Sequence, residues 1–320
     1  MPEILLVKTS SLGDVVHNLP VASDIRRHVP AAAIDWVVEE AYAPLVRLHP
    51  AVREAIPVAI RRWRRHLGSV ATWRELARLR GRLRERTYDA VIDTQGLVKS
   101  ALIVRRARGT KHGYSAATVR EPLAARAYDV THDVPRGAHA VERNRQLAAA
   151  ALGYRLDGAP DYGLRITASP PVAVAGRYSV LLHATSRADK LWPEARWQSL
   201  GVKLASAGLT CVLPWGSVEE LERSRRLAAA IPGAIVPPAM ALDAAAALLA
   251  HAAAVVGVDT GLVHLAVAAG APTVAVFAGS DPALTGVYGS PRARNVGGPG
   301  ASPAVEEVVA TLRQVAPGLA

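Results

Sequence analysis

Short apolar runs alternate with amphipathic stretches along the first half of the chain. Runs of strand length occupy 4–7, 33–38, 54–59, 88–94 and 111–115, and helical patterns lie between them at 15–28, 71–86, 97–107 and 139–152. Alternation of this kind is typical of a parallel sheet covered by helices. The pattern therefore predicts a doubly wound α/β domain.

The same alternation restarts after residues 153–176, a stretch rich in glycine and proline that predicts a linker. Strands are predicted at 178–184, 209–214, 253–259 and 272–279, and helices at 193–207, 218–231, 241–252, 260–270 and 302–315. The last helix is expected to begin with Ser302 as its cap and Pro303 in its first turn. We expect two Rossmann-like domains, 1–165 and 166–320, with the C-terminal helix free to pack back on the first.

Positive charge is concentrated in one half of the chain. Residues 1–160 hold 26 Lys and Arg against 16 Asp and Glu, whereas residues 161–320 hold 12 against 11. This asymmetry favours an anionic partner for the first half, although solvated basic helices would give the same composition. No membrane-span run and no secretory signal are recognised, and the single cysteine, Cys211, excludes an internal disulfide, so we expect a cytoplasmic protein.

Polar residues follow the predicted strands of the second domain, where doubly wound folds bind their ligands. They are Thr185, Ser186 and Lys190 after one strand, and Asp259, Thr260 and Gly261 after another. Hydroxyls, a lysine and free amides at a helix start suit a phosphate, and two such strand ends fit a diphosphate. After a third strand, Glu220 either complements the helix dipole or binds ribose hydroxyls. Ordinary helix caps use the same residue types.

The polar segments together resemble a known family. KTSSLGDVVHNLP, IPVAIRRWRR, YDAVIDTQGLVKSALI, KHGYSAATVREPLA, LLHATSRADKLWP, LPWGSVEE and VDTGLVHLA occur in the order and spacing of the lipopolysaccharide heptosyltransferases of glycosyltransferase family 9, from about residue 3 to residue 290. VDTGLVHL identifies only the family, whereas the segments KTSSLGD, RRWRR and DTQGLVKSA resemble those of its type I enzymes. The resemblance implies the GT-B fold, two Rossmann-like domains facing across a cleft, with the acceptor on the N-terminal domain and the donor on the C-terminal one.

The resemblance also implies an activity. Enzymes of this kind move L-glycero-D-manno-heptose from ADP-heptose to the first 3-deoxy-D-manno-octulosonic acid (Kdo) of Kdo-lipid A, with inversion, in lipopolysaccharide inner-core synthesis. Because ADP leaves as a stable diphosphate, one carboxylate suffices to take the acceptor proton. The resemblance assigns Asp14 as this base and Lys190 as the group that neutralises the leaving diphosphate. A plain cap of the helix at 15–28 is the alternative for Asp14.

Two sets of binding residues are implied in the same way. The donor set is Thr185, Ser186, Lys190, Glu220, Met240, Asp259, Thr260, Gly261 and His264; the acceptor set is Ser10, Ser11, Gly13, Arg61, Arg62, Arg64, Arg65, Lys99, Lys111, His112 and Arg120. Core packing is the alternative for Met240 and His264, and a solvated helix start is the alternative for the arginines. No Asp-x-Asp pair follows a strand, so we expect no metal and no cofactor besides the donor substrate, ADP-heptose.

Lipid A lies in a membrane leaflet, so the resemblance implies transient, salt-sensitive contact with the cytoplasmic face of the inner membrane. We expect a monomer without a nucleic-acid ligand. Three alternatives remain open: a type II heptosyltransferase or other family 9 transferase, a nucleotide-sugar 2-epimerase, and a basic non-catalytic nucleic-acid-binding protein. The arginine cluster argues against the epimerase, and an aromatic content of 5% argues against nucleic acid.

Overall fold

The computed structural model describes residues 1–319, and the chain divides into two compact units at the Arg165–Ile166 bond. The strands of the first unit are β1 Glu3–Val7, β2 Ala33–Glu39, β3 Val52–Val58, β4 Thr87–Asp93, β5 Arg108–Tyr114 and β6 Val130–His132. They are parallel and lie in the order β3-β2-β1-β4-β5-β6. This is the strand order of a Rossmann fold.

The helices of the first unit are α1 Leu12–Val16, α2 Leu19–His28, α3 Ala43–Arg47, α4 Ile60–Arg65, α5 Val70–Arg84, α6 Val98–Val104 and α7 Ala140–Leu152. The prediction of one helix over 15–28 is wrong, because α1 and α2 are separate. Pro20 lies in the first turn of α2, and since it has no N–H it cannot continue the hydrogen-bond ladder of α1. Asp14 therefore lies inside α1, whose N-cap is Ser11.

The second unit is built in the same way. Its strands are β7 Tyr178–Leu182, β8 Thr210–Val212, β9 Ala254–Val258, β10 Thr273–Phe277 and β11 Ala293–Gly297, parallel and in the order β11-β10-β9-β7-β8. Beyond β8, Ile235 forms an isolated parallel bridge, with its backbone bonded to Cys211 and Leu213 at 2.8 and 2.9 Å. With Ile235 in the place of a third strand, this unit also follows the Rossmann order.

The helices of the second unit are α8 Glu194–Ser206, α9 Val218–Ala230, α10 Leu242–Ala250, α11 Gly261–Ala268, α12 Pro282–Thr285 and α13 Val305–Val315. The prediction that the last helix begins with Ser302 and Pro303 is wrong, because α13 has Ala304 as its N-cap. The carbonyl oxygen of Pro303 instead accepts hydrogen bonds from the side chains of Trp192 and Arg196, at 3.0 and 2.8 Å. Both residues before the cap are thus held outside the helix.

The apolar face of α13 belongs to the core of the second unit. Val308 and Leu312 are buried in one cluster with Trp192, Trp197 and Val276. The helix packs against β10, β11 and α8. The hydrophobic pattern of the tail is therefore explained by this sheet.

Within residues 1–319, no helix combines the length and the apolar character needed to cross a lipid bilayer.

Arg145 of α7 makes a buried ion pair that stabilises the first unit. Its guanidinium donates two hydrogen bonds to the carboxylate of Asp24 on α2, at 2.8 and 3.1 Å, and only 2% of its side chain is exposed. Arg145→Met is expected to leave the Asp24 charge buried without its partner and to lower the free energy of unfolding by about 3–5 kcal/mol. Urea denaturation followed by circular dichroism measures the change.

The matched control is Arg27→Met, because Arg27 lies 3.4 Å from Asp157 in a pair whose side chains are both more than half exposed. This substitution is expected to lower the free energy of unfolding by less than about 1 kcal/mol. If both variants lost a similar amount of unfolding free energy, the Arg145–Asp24 pair would contribute no more to stability than a surface ion pair does.

Candidate active site

The loops after β1 and β4 form the first part of the site. β1 lies between β2 and β4, so the strand order reverses there, and such positions hold ligands beyond the carboxyl ends of the strands. Gln95, after β4, accepts hydrogen bonds from the backbone N–H groups of Thr9 and Ser10 at 2.9 and 3.1 Å. The Lys99 ammonium donates to the Ser10 hydroxyl at 2.7 Å. These bonds fix the loop that precedes Asp14.

The two carboxylate oxygens of Asp14 have different partners. Its Oδ2 accepts hydrogen bonds from the backbone N–H and the hydroxyl of Ser11 at 2.9 and 3.2 Å, and its Oδ1 lies 3.4 Å from the Arg120 guanidinium. Burial acts to raise the pKa of Asp14, but the charges of Lys8 and Arg120 and the Ser11 hydrogen bonds outweigh it and lower that pKa. With a quarter of the side chain exposed, at 25%, Asp14 is an ionised and reachable carboxylate.

Lys8 is a part of this site that sequence reasoning missed. Its ammonium is buried and donates to the carbonyl oxygen of Thr94 at 2.7 Å and to the Asn144 side chain at 3.2 Å. Burial lowers the pKa of Lys8 to about 8, although the nearby charge of Asp14 acts in the opposite direction. A lysine directly after an apolar strand was the available signal, because a charge at that position must find a buried partner.

The predicted arginine cluster lies on α4, and its members differ. Trp63 is buried, and its indole N–H donates to Glu75 at 2.6 Å, which anchors the helix. Arg62 is paired with Glu40 and Glu75 at 3.1 and 3.0 Å, so its charge is already compensated. The Arg61 guanidinium lies over the Tyr42 ring, 5.8 Å from its centre.

The other two arginines of α4 differ from Arg62 in having no such compensation. Arg64 and Arg65 are exposed, and neither makes a hydrogen bond or ion pair with a side chain in residues 1–319. They are therefore the members of the cluster whose charge is fully available to an external anion.

Lys111 and His112 lie in the middle of β5 rather than at its carboxyl end. The Lys111 ammonium is 3.3 Å from Asp129, and the His112 ring stacks on His132 with 3.1 Å between ring nitrogens. His112 pairs with Ile92 in the sheet register, one residue before the end of β4. No hydrogen bond or ion pair joins these two residues to Asp14 within residues 1–319, and their acceptor role stays a prediction. Gly13 lies in α1 beside Asp14.

In the second unit, Asp259 is the centre of a polar cluster between the loops after β7 and β9. The hydroxyl of Thr185 donates to the Asp259 carbonyl oxygen at 2.9 Å, and Lys190 donates to the carboxylate at 2.6 Å. His264 lies 3.8 Å from the second carboxylate oxygen, and the hydroxyl of Ser280, which was not predicted, donates to the first. Thr185, Lys190, Asp259 and His264 are thus brought together as predicted.

Asp259 holds the Lys190 ammonium in place. Burial acts to raise the pKa of Asp259, but the nearby His264 ring and the hydrogen bonds from Lys190 and Ser280 outweigh it and hold that pKa far below its ordinary value. An ammonium has three donors, and within the described chain the carboxylate of Asp259 takes one of them. Two donors remain for the oxygens of an anionic ligand.

The remaining donor-set residues lie at helix starts and loop ends. Thr260 is the N-cap of α11, its side chain makes no capping hydrogen bond, and Gly261 opens the helix. Ser186 is exposed. Glu220 accepts a hydrogen bond from the backbone N–H of Gly216 at 2.7 Å, in the loop before α9. Met240 is partly exposed and does not belong to the buried core, so core packing does not explain it.

Residues 1–319 contain no group of three or more His, Cys, Asp or Glu side chains placed to hold a metal ion. Metal independence of any reaction at this site stays a prediction.

Comparison with known proteins identifies the family of this chain. The family model described as glycosyltransferase family 9 (heptosyltransferase) matches residues 76–311. The chain belongs to glycosyltransferase family 9. Among curated relatives of this glycosyltransferase, lipopolysaccharide heptosyltransferase 1 of Escherichia coli K12 is 46% identical over 291 residues, covering 89% of this chain and 91% of the relative. The enzyme of the same name from Pseudomonas aeruginosa PAO1 is 47% identical over 288 residues, covering 89% and 81%.

Solved structures resemble this family 9 glycosyltransferase over almost its whole length. E. coli heptosyltransferase WaaC with ADP has a TM-score of 0.92 and 43% identity, covering 98% of this chain and 100% of that one. WaaC with ADP-2-deoxy-2-fluoro heptose has a TM-score of 0.88 and 42% identity, covering 97% and 99%. The predicted GT-B fold and the predicted glycosyltransferase class are confirmed, and the non-catalytic nucleic-acid-binding alternative is not supported.

Replacing Lys190 by methionine is expected to destabilise this glycosyltransferase more at pH 7 than at pH 4. The pKa of Asp259 in the folded protein lies below its unfolded value of about 4. The ion pair therefore stabilises the folded protein fully above pH 4, and this stabilisation is lost only as the pH falls further toward the folded pKa. Without Lys190 the pKa of Asp259 rises, and the buried charge is penalised at pH 7 but not after protonation. Melting temperatures at the two pH values measure the difference.

Lys203→Met is the control, because Lys203 is half exposed and lies 3.6 Å from the exposed Glu306. Its effect is expected to be small and equal at both pH values. If Lys190→Met lowered the melting temperature equally at pH 4 and pH 7, this result would contradict the coupling between Lys190 and Asp259.

Proposed function

We propose that this family 9 glycosyltransferase moves L-glycero-D-manno-heptose from ADP-heptose to the first Kdo of Kdo-lipid A, with inversion at the anomeric carbon. The observation that carries the proposal is Asp14, an ionised and partly exposed carboxylate beside the cations of Lys8 and Arg120. The names of the curated relatives and the ADP-2-deoxy-2-fluoro heptose complex of WaaC support the choice of substrates.

Asp14 acts as the general base in this proposal. The acceptor hydroxyl attacks the anomeric carbon, and its proton becomes acidic as the new C–O bond forms. The Asp14 carboxylate is ionised at neutral pH and has an oxygen, Oδ1, that no side chain but Arg120 approaches within hydrogen-bond reach among the described residues. It therefore accepts the proton without first having to lose one of its own.

Arg120 binds the acceptor in this proposal. Its guanidinium is half exposed and lies only 3.4 Å from Asp14. A guanidinium binds carboxylates in a bidentate manner, so Arg120 is suited to the sugar carboxylate of Kdo while it stays beside the base. Arg61, Lys99 and the unpaired Arg64 and Arg65 supply further positive charge for an anionic acceptor.

The leaving diphosphate is bound by the second unit. Lys190 offers the two donors that Asp259 does not use, and the backbone amides at the start of α11 favour negative charge. The hydroxyls of Thr185 and Ser186 supply further hydrogen bonds. Such fixed donors stabilise developing charge without a metal ion, and ADP then needs no proton to depart. We propose His264 as a group that keeps Asp259 ionised, Glu220 as the ribose contact and Met240 as a contact of adenine.

A type II heptosyltransferase is the second candidate. The solved E. coli heptosyltransferase II is 23% identical to this chain, against 43% for WaaC, and the difference favours the type I acceptor. We further propose that the enzyme is a monomer that acts at the cytoplasmic face of the inner membrane and is released from it by high salt.

The direct test is incubation with ADP-heptose and deacylated Kdo-lipid A, in the presence of EDTA, followed by mass spectrometry. Addition of one heptose to the acceptor is the expected result. A folded protein that adds no heptose in EDTA or in Mg²⁺ would overturn the substrate assignment, and activity only in Mg²⁺ would overturn metal independence.

Asp14→Asn is expected to lower kcat about 10²- to 10⁴-fold, because the amide keeps the shape of the side chain but cannot take the proton. The affinity for ADP, measured by calorimetry, is expected to be unchanged. Asp133→Asn, at an exposed aspartate outside the site, is the control and is expected to retain full activity. An Asp14→Asn enzyme with nearly normal kcat would remove the proposed base.

Lys8→Met is expected to move the acid limb of the kcat/KM profile to higher pH. The Lys8 charge lowers the pKa of Asp14, so its removal raises that pKa and protonates the base at a less acidic pH. The profile is measured between pH 4 and 9, with Lys203→Met as a control that changes the same charge on the surface. An acid limb that does not move would show that Lys8 does not tune Asp14.

A further inference from the structure

An exposed apolar patch lies beside the arginines of α4. Leu67, Val70 and Trp73 are 56%, 65% and 59% exposed. The Trp73 indole N–H donates to the carbonyl oxygen of Leu67 at 2.8 Å, which holds the ring against the loop between α4 and α5. Val70 and Trp73 are three residues apart on α5 and share a face of that helix. The three exposed side chains lie in one short segment, 67–73, and we refer to them as the apolar patch.

Positive charge flanks the apolar patch along the chain. Residues 60–74 contain five arginines and neither aspartate nor glutamate. Arg64, Arg65 and Arg74 are exposed, and the structure of residues 1–319 gives them no hydrogen bond or ion pair through their guanidinium groups. The nearest acid along the chain, Glu75, is already occupied by Arg62 and Trp63. The patch and its margin thus offer apolar surface and uncompensated cations together.

An anionic bilayer matches this combination more closely than a protein surface does. Contiguous exposed apolar residues indicate a docking surface. A tryptophan ring is favoured at the depth of the lipid headgroups, and arginines around it reach the phosphates while their stems cover apolar surface. A bilayer presents an apolar interior beneath a layer of headgroup phosphates over its whole surface, whereas a protein partner would need an acidic side chain opposite each arginine.

We propose that Leu67, Val70 and Trp73 insert into the surface of a membrane rich in anionic lipid, with Arg64, Arg65 and Arg74 on the lipid phosphates. The inference rests on the proposed function in one respect, the expectation that the acceptor is a membrane lipid. To the proposed function the inference adds the protein surface that contacts the membrane. Because α4 ends with the unpaired Arg64 and Arg65, one residue short of Leu67, docking brings the predicted acceptor-binding cluster to the level of the lipid headgroups.

Flotation with vesicles that contain no acceptor tests the docking by itself. The wild type is expected to bind vesicles of phosphatidylglycerol and phosphatidylethanolamine and to ignore pure phosphatidylcholine. Trp73→Ala is expected to weaken binding about tenfold, since it removes the largest inserted group. Leu102→Ala, on α6 and 54% exposed, is the matched control and is expected to bind normally. Equal binding by the wild type and Trp73→Ala would overturn the proposal.

Fluorescence measures the depth of the patch. Of the six tryptophans, Trp73 is 59% exposed, whereas Trp36, Trp192 and Trp197 are fully buried, Trp63 is 7% exposed and Trp215 is half-buried, so lipid-borne bromine should quench mainly Trp73. Quenching is expected in the wild type and is expected to be lost in Trp73→Phe, which keeps an apolar anchor and still floats. Binding without quenching would show that the arginines hold the protein above the lipid and would overturn insertion.

Two further readouts separate this inference from the proposed function. Trp73→Ala is expected to transfer heptose normally to a deacylated soluble acceptor and poorly to Kdo-lipid A in vesicles. A wild type that binds vesicles but transfers to neither acceptor would overturn the proposed function and leave the docking surface intact. A wild type that ignores vesicles but forms a dimer, dissociated by Trp73→Ala in ultracentrifugation, would overturn the docking proposal in favour of contact between copies.

Discussion

A charge taken out of water needs a partner, and this constraint organises the candidate sites of both units. In the first unit the buried Lys8 is held by Thr94 and Asn144, and its charge keeps Asp14 ionised. In the second unit Asp259 is buried beside Lys190. Lys8 directly follows β1 and Asp259 directly follows β9, so each pair is built at the carboxyl end of a strand inside its sheet. The charges of both candidate sites are therefore already paired within the protein itself.

The Lys190–Asp259 ion pair of the second unit weakens the attraction of Lys190 for an anion, and the sequence does not reveal this. A lysine attracts an anion more strongly when it is unpaired, yet the Lys190 ammonium, which we propose as a diphosphate ligand, lies 2.6 Å from a carboxylate. The gain is position, because a flexible four-carbon side chain is held at one place, which reduces the entropy lost when a ligand binds. Backbone amides at the start of α11 add attraction that no carboxylate offsets.

The fold and the central site residues were predictable because both follow from where parallel strands end. Thr185, Lys190 and Asp259 meet since the carboxyl ends of neighbouring strands share one edge. Sequence could not show that Lys111 is in mid-strand and paired with Asp129, because motif order carries no sheet register. It also could not show that Arg62 is compensated, since Glu40 lies 22 residues away. Lys8 was missed because a lone lysine after an apolar run resembles an ordinary strand end.

The single bridge made by Ile235 has a consequence for association between chains. An edge strand with a long row of unpaired backbone groups invites another polypeptide to extend the sheet, which is a common route to aggregates. Here β8 is only three residues long, and Ile235 occupies the backbone groups of Cys211 and Leu213 on its outer side. An incoming strand would find almost no free donors and acceptors in a row, so this border of the sheet is closed to growth by a segment too short to be a strand itself.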